Sequence, residues 1–185
     1  MAARREVRIE KAVAAMRSHM WDEEAGTFLS VQRDSLEKIP VATIGSWMAL
    51  MAGVPTDTMA RRMAEALKTE HWTTPLPVPT VDRKDNRWKS GAYWRGDVWP
   101  APNYQIATGL ARYGHKDLAV DIADKTVANA LRHGISEHYD AVSGKPLGVT
   151  FLGMSCTIAT MMLDGLCGKY SGVSVKRASS PSGGD

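Results

Sequence analysis

Apolar residues recur at helical spacing in six segments of the chain. In the first segment, Ile9, Val13, Met16 and Met20 fall on one face, which predicts a helix from about Glu6 to Met20. Thr56 is a suitable N-cap for the third segment, and glycines follow the fourth and fifth segments at the position where helices commonly end. The five further helices are predicted over residues 43–52, 56–70, 102–113, 116–133 and 153–168.

Two long connections interrupt this pattern and collect polar and aromatic residues. Residues 71–93 hold three prolines and then a polar run, and residues 135–150 form a polar loop between the fifth and sixth helices. Long connections without periodicity inside a compact domain are usually functional. In a series of helical hairpins, alternate connections emerge at the same end, so we expect these two loops to meet at one rim.

The order of elements predicts an all-α fold made of helical hairpins. Short extended segments are expected in the loops, for example at residues 21–30, where Asp22 and Gly26 interrupt the helical pattern. We expect this domain to span residues 1–170. The Ser/Gly/Pro-rich residues 171–185 are expected to form a disordered tail.

Composition narrows the class of protein. The length of 185 residues and the 44% apolar content suit one soluble domain. The net charge of +3 is small and basic residues are mixed with acidic ones, which argues against nucleic-acid binding. No apolar run is long enough for a membrane span, and the first residues lack the apolar core of a secretion signal. We therefore expect a cytoplasmic protein.

The cysteine and histidine positions suggest neither a disulfide nor a metal site. Cys156 and Cys167 lie on one predicted helix, about 16 Å apart at a helical rise, which is too far for a disulfide. We expect buried thiols in a reducing compartment. The five histidines show no ligand spacing and no glycine-rich phosphate loop is present, so no metal and no cofactor is expected.

The first candidate cluster is Tyr93-Trp94-Arg95-Gly96-Asp97-Val98-Trp99. Its indoles could stack on sugar rings, its arginine and carboxylate could bind hydroxyls, and its glycine allows a close backbone approach. The second cluster is Ser136-Glu137-His138-Tyr139-Asp140. Structural roles remain open for all of these: a solvated loop glutamate, an ion-paired arginine, indoles in the core, and an Asp97 that interacts with a helix dipole. Trp72 and Trp88 lie in the long loop, where an exposed indole could also form a platform.

Several motifs together resemble a known family. Tyr93-Trp94-Arg95-Gly96, followed by Val98-Trp99 and Asn103-Tyr104, resembles a characteristic segment of (α/α)6-barrel glycoside hydrolases. That group includes the mannosylglycerate hydrolases, processing α-glucosidase (family 63-like) and, more distantly, trehalase. Further matches in the same order lie at residues 21–28, 51–56, 77–81, 137–140 and 143–148. The resemblance covers roughly residues 5 to 168 and implies the C-terminal half of a barrel, with about six of its twelve helices.

The resemblance also implies roles for individual residues. Glu137 corresponds to the general base of inverting hydrolysis, which activates a water molecule. The residues expected to bind substrate are Tyr93, Trp94, Arg95, Asp97, Trp99, Asn103 and Tyr139. The implied substrate is an oligosaccharide or other glycoside.

The sequence also departs from the family at three places. The general acid of the family is an Asp in an S-G-x-D segment upstream of this cluster, and no such segment precedes Tyr93. Asp97 replaces the usual proline, and Met154 replaces a tryptophan that closes the sugar subsite. The chain is therefore interpreted as an incomplete glycosidase. The alternatives are a non-catalytic carbohydrate-binding half-barrel and a helical interaction module, and an open barrel face favours self-association.

Overall fold

The computed structural model describes residues 2–166, and these form a mainly helical domain. The predicted tail at residues 171–185 and Cys167 lie outside the described residues. The six α-helices are α1 Ala2–Ala15, α2 Ile44–Ala52, α3 Asp57–Leu67, α4 Pro100–Arg112, α5 Lys116–His133 and α6 Thr157–Leu166. All six predicted helices are present, and α5 has the predicted bounds. The all-α prediction is therefore confirmed.

Local sequence signals explain where several of these helices begin and end. The Thr56 side chain accepts a hydrogen bond from the Met59 amide at the start of α3, as expected of an N-cap. Thr43 and Ser46 exchange hydrogen bonds in a capping box at the start of α2. The first helix continues beyond α1 as a π-helical turn, Met16–Met20.

Helix α4 lies at the centre of the domain and packs against α2, α5 and α6. Its buried face joins a core that includes Trp47, Leu50 and Ile106. Gly109 permits the closest approach between α4 and α2, since a Cβ there would lie 2.6 Å from the Leu50 Cβ. This core holds in place the helix that follows the first candidate cluster.

Two antiparallel hairpins complete the fold. Strands β1 (Trp21–Asp22) and β2 (Thr27–Phe28) form the extended turn predicted at residues 21–30. The second hairpin, β3 (Ser136–Tyr139) with β4 (Pro146–Thr150), lies where we predicted a polar loop. Asp140 stabilises its turn by accepting hydrogen bonds from the Val142 and Ser143 amides. Glu137 is therefore carried by an ordered strand.

The structure corrects two further expectations. Trp72 is buried edge-on against Trp47, so it is a core residue and not a sugar platform. Cys156 ends a short 3-10 helix, Gly153–Cys156, and is an exposed free thiol, whereas we expected it to be buried.

Candidate active site

The two long connections meet, as predicted from the order of the helices. Val98 and Tyr139 exchange backbone hydrogen bonds of 2.8 and 2.9 Å, which joins the first cluster to strand β3. The Ser90 hydroxyl also donates to Asp140. A carboxylate, a phenol, an indole and a guanidinium thereby share one rim of the domain: Glu137, Tyr93, Trp94 and Arg95.

Glu137 is half-buried and held at both carboxylate oxygens. Oε1 accepts a hydrogen bond of 3.1 Å from the Tyr93 hydroxyl, and Oε2 accepts one of 3.1 Å from the Val149 amide. Gly148, at φ +70°, allows strand β4 to pass against Glu137, because a Cβ there would overlap the carboxylate. Since each carboxylate oxygen accepts more than one hydrogen bond, both oxygens keep capacity for a water or a ligand.

Tyr93 and Trp94 form the exposed part of an aromatic group. Trp94 stacks on Trp99 at 4.0 Å between ring centroids, with an angle of 12° between the ring planes, and Trp99 in turn stacks on His138 at 4.9 Å. Tyr93 meets Trp94, Trp99 and His138 edge-on. Trp94 is 43% exposed and Trp99 only 2% exposed, so Trp94 carries the surface that a sugar ring can reach.

Arg95 is exposed and belongs to the short 3-10 helix Tyr93–Arg95. Within residues 2–166 its guanidinium has no ion-pair partner, which differs from the buried ion pair considered as a structural alternative. A free cation beside Trp94 can bind sugar hydroxyls or a substrate carboxylate.

Asp97, by contrast, is fully buried behind this rim. Its Oδ1 accepts a hydrogen bond from the Gly91 amide and its Oδ2 accepts one from the Tyr93 amide, both of 2.7 Å. Oδ2 also lies 3.0 Å from Nδ1 of His138, although not in the direction of a straight hydrogen bond. Burial raises the pKa of Asp97, against the opposing effects of these two amides and His138. In this conformation Asp97 does not reach a ligand.

Asn103 and Tyr139 are also fully buried, and the chain itself uses their polar atoms. The Asn103 side chain accepts from the Val78 amide at 2.7 Å and donates to the Trp99 carbonyl at 2.9 Å. The Tyr139 hydroxyl donates to the Gly134 carbonyl at 2.7 Å, and burial raises its pKa. We expected these residues, like Asp97 and Trp99, to touch the sugar. Their burial instead places all four in the layer that supports the rim.

Sequence reasoning did not identify three of the site's supports: His138, Gly148 and the Val149 amide. His138 was recognised only as a neighbour of Glu137, because nothing in the sequence shows that it stacks on Trp99. A glycine inside a strand commonly marks a close backbone approach, but this signal could not be used at Gly148 because strand β4 was not predicted.

A separate surface pocket of about 230 Å³ lies beside α5, away from Glu137. Lys125, Asn129 and Arg132 line it, together with apolar residues. Lys125 is paired with Asp121 at 2.8 Å, and Asn129 donates to the Gly144 carbonyl at 3.0 Å. The sequence-predicted residues do not line this pocket.

Comparison with solved structures defines the class of the domain. A crystal structure of the family 63 mannosylglycerate hydrolase from Thermus thermophilus, in complex with glucose, superimposes with a TM-score of 0.75 at 29% identity. The match covers 82% of this chain and 38% of that one. Neutral trehalase from Saccharomyces cerevisiae matches with a TM-score of 0.66 at 19% identity, over 82% of this chain and 28% of that one, which supports the fold alone. The fold is that of part of an (α/α)6-barrel glycosidase.

Comparison of sequences gives the particular family. Residues 1–155 match the model of the mannosylglycerate hydrolase MGH1-like glycoside hydrolase domain, and the chain belongs to that family. A mannosylglycerate hydrolase of Thermus thermophilus is 32% identical over 142 residues, covering 76% of this chain and 34% of the relative. The chain therefore spans about a third of the length of the relatives it matches.

Two features are absent from the part of the chain that the structure describes. No helix among residues 2–166 is long and apolar enough to cross a membrane. The same residues contain no group of three or more histidine, cysteine or acidic side chains that could hold a metal ion.

Proposed function

We propose that this chain is part of a glycoside hydrolase that cleaves α-linked glucosyl or mannosyl compounds with inversion, and that Glu137 is its general base. Family membership supports the reaction class. The observation that carries the assignment of Glu137 is its 3.1 Å hydrogen bond from Tyr93, beside the exposed Trp94. Tyr93 and Glu137 are 44 residues apart in the chain, and the fold brings them together at an accessible rim.

In the proposed reaction, Glu137 removes a proton from a water molecule as that water attacks the anomeric carbon. Inverting enzymes place a carboxylic acid roughly 6.5–9.5 Å from the base to protonate the leaving oxygen. No S-G-x-D segment precedes Tyr93. The proposal therefore places the general acid on a part of the protein outside this sequence.

The binding residues of the proposed site are those exposed at the rim. The face of Trp94 that is not covered by Trp99 is available to pack against a pyranose ring. Arg95 supplies a free cation. The Thermus relative is named a mannosylglycerate hydrolase, and a carboxylate-bearing aglycone such as glycerate would match the charge of Arg95.

The test is the Glu137→Gln variant in the complete gene product. Loss of a general base typically costs 100- to 10,000-fold in rate, so we expect turnover of mannosylglycerate or an α-glucoside to fall by about that factor. Binding of the sugar, measured by calorimetry, should change little because glutamine keeps the shape. Glu65→Gln is the control, since Glu65 is exposed on α3 and paired with Lys68. Unchanged turnover by the Glu137 variant would remove Glu137 from the mechanism.

A non-catalytic carbohydrate-binding module is the second candidate. The missing acid segment and the exposed Trp94 favour it. In that case the complete gene product would bind a disaccharide but never hydrolyse it. The third candidate, a helical interaction module, requires the tryptophans to be core residues. It would be favoured if no sugar changed the fluorescence of Trp94.

We also propose that the isolated chain self-associates. Among residues 5–164, several large apolar side chains are exposed on α5, on α6 and from β4 to the following 3-10 helix: Val120, Leu131, Val149, Phe151, Met154, Met162 and Leu163. Exposed apolar surface of this kind favours association.

We further propose a cytoplasmic location. The exposed free thiol of Cys156 supports it, because such thiols persist in reducing compartments. Fractionation of cells that produce a tagged chain tests this location.

A further inference from the structure

We propose that Asp97 is the positioning residue of this site, a carboxylate that touches no substrate. It holds Tyr93 against Glu137, and it holds His138 beneath the stacked pair of Trp99 and Trp94. The inference rests on the proposed function only in taking Glu137 as the group to be positioned. It goes further by assigning the residue that sets the geometry of the rim.

The first observation is the conformation of Tyr93. Its φ is +60°, in the left-handed region that non-glycine residues rarely adopt. That conformation directs the phenol towards strand β3, where its hydroxyl donates to Glu137. An exposed turn would relax from such a conformation unless other contacts held it.

Asp97 supplies those contacts through hydrogen bonds at both ends of the turn. Its carboxylate accepts the Gly91 and Tyr93 amides at 2.7 Å, and its own amide donates to the Tyr93 carbonyl at 3.2 Å. Gly91 itself has a φ of +73°. Because Asp97 is fully buried, these hydrogen bonds act in a low-dielectric setting where they are stronger than at the surface.

A second set of contacts connects Asp97 through His138 to Trp99 and Trp94. Oδ2 of Asp97 lies 3.0 Å from Nδ1 of His138, whose ring stacks on Trp99, which in turn stacks on the exposed Trp94. Asp97 therefore contacts both the backbone that positions the Tyr93 phenol and the histidine that lies beneath the Trp94 indole. The ionisable groups around this arrangement are Glu137 at the Tyr93 hydroxyl, and His138 and Asp140 around Asp97.

The hydroxyl of Tyr93 provides a direct readout of this positioning. The hydrogen bond to Glu137 raises the pKa of Tyr93, because ionisation would place a second negative charge beside the carboxylate. If the phenol swings away from Glu137, that pKa must fall towards its ordinary value of about 10. A purely structural role for Asp97 would lower stability without moving this pKa.

The experiment uses the 185-residue chain with 13C at the tyrosine Cζ atoms, titrated by NMR, with Tyr93→Phe to assign the signal. Glu137→Gln calibrates the response and should lower the pKa of Tyr93. We expect Asp97→Asn to lower it in the same direction, although Asp97 does not touch the hydroxyl. Asp85→Asn is the matched control, since Asp85 caps a turn of the same connection through Arg87. A Tyr93 titration that is unchanged in Asp97→Asn would overturn the proposal.

A second measurement needs no variant and covers the case in which Asp97→Asn does not fold. The amides of Gly91 and Tyr93 lie in an exposed turn and donate to Asp97, whereas the neighbouring Trp94 amide has no acceptor among residues 2–166. Slow hydrogen exchange at Gly91 and Tyr93 with fast exchange at Trp94 is expected. Equally fast exchange at all three would contradict the proposal. Neither the Tyr93 titration nor amide exchange requires hydrolysis. Both measurements would therefore still test the role of Asp97 if the protein proved not to be a hydrolase.

Discussion

The position of the Glu137 carboxylate depends on a neighbouring glycine as well as on its hydrogen-bond partners. Gly148 adopts φ +70°, and a Cβ at that position would overlap the Glu137 carboxylate and press on its Cβ. The next residue is Val149, whose amide donates a hydrogen bond to Oε2 of Glu137. Residue 148 therefore determines both the space available to the carboxylate and the direction of one of its donors.

We expect Gly148→Ala to displace Glu137 and to reduce turnover in the complete gene product at least tenfold. Part of any loss would come from backbone strain, about 1 kcal/mol for alanine at a left-handed position. Gly114→Ala separates the two effects, because Gly114, which follows α4, has a positive φ of +86° with no atom within 4 Å of its would-be Cβ. The measurements are urea unfolding and turnover. Equal losses of turnover in both variants would show that strain, and not displacement of Glu137, is responsible.

The sequence predicted which residues gather at the site but not which of them are exposed. In a helix or strand, periodicity assigns each residue to a face. Residues 91–99 have no such period, so Trp94 and Asp97 could not be assigned to opposite sides of the loop. Asp97 is buried against His138, which comes from a separate part of the chain, so no local pattern could show it.

At the scale of elements, the contact between α2 and α4 places a tight constraint on the core. A Cβ on Gly109 would lie 2.6 Å from both the Leu50 Cβ and the Met51 amide nitrogen. These atoms belong to a neighbouring helix and cannot move independently of it. The helices can therefore adopt this spacing only with glycine at residue 109.

Gly109→Ala should destabilise the domain by about 1–3 kcal/mol, the usual cost of overpacking, less the small gain in helix propensity. Gly45→Ala is the matched control on α2, because Gly45 is exposed and its would-be Cβ meets only the Thr43 hydroxyl, at 3.4 Å. That variant should be neutral or stabilised by up to about 1 kcal/mol. Urea unfolding followed by circular dichroism measures both. A Gly109 variant as stable as the Gly45 variant would contradict the tight crossing.

Helix positions were predictable because local signals define them. The Thr56 cap and the glycine after His133 mark boundaries that the structure confirms. The β3–β4 hairpin was missed because each strand is short and its register is irregular between Ser136 and His138. Its stability comes from long-range contacts such as Val98 with Tyr139, which no local pattern reveals.

At the scale of the molecule, the chain is a partial barrel with exposed apolar side chains. It spans about a third of its relatives' length. Leu131 and Phe151 are each 76% exposed, and Leu163 on α6 is 57% exposed. In a closed barrel, such helices pack against neighbouring helices. In the isolated chain, burial of these exposed apolar side chains therefore favours association.

We expect the isolated chain to form dimers or larger species at micromolar concentrations, measured by light scattering after size exclusion. Leu131→Glu together with Leu163→Glu should shift it towards the monomer, since a charged side chain opposes burial at either position. Leu36→Glu is the control, because Leu36 is 46% exposed but lies in the separate loop before α2. A chain that is monomeric at all concentrations would contradict this prediction. Association that Leu36→Glu disrupts equally would show that general apolar exposure, and not the exposed leucines of α5 and α6, drives it.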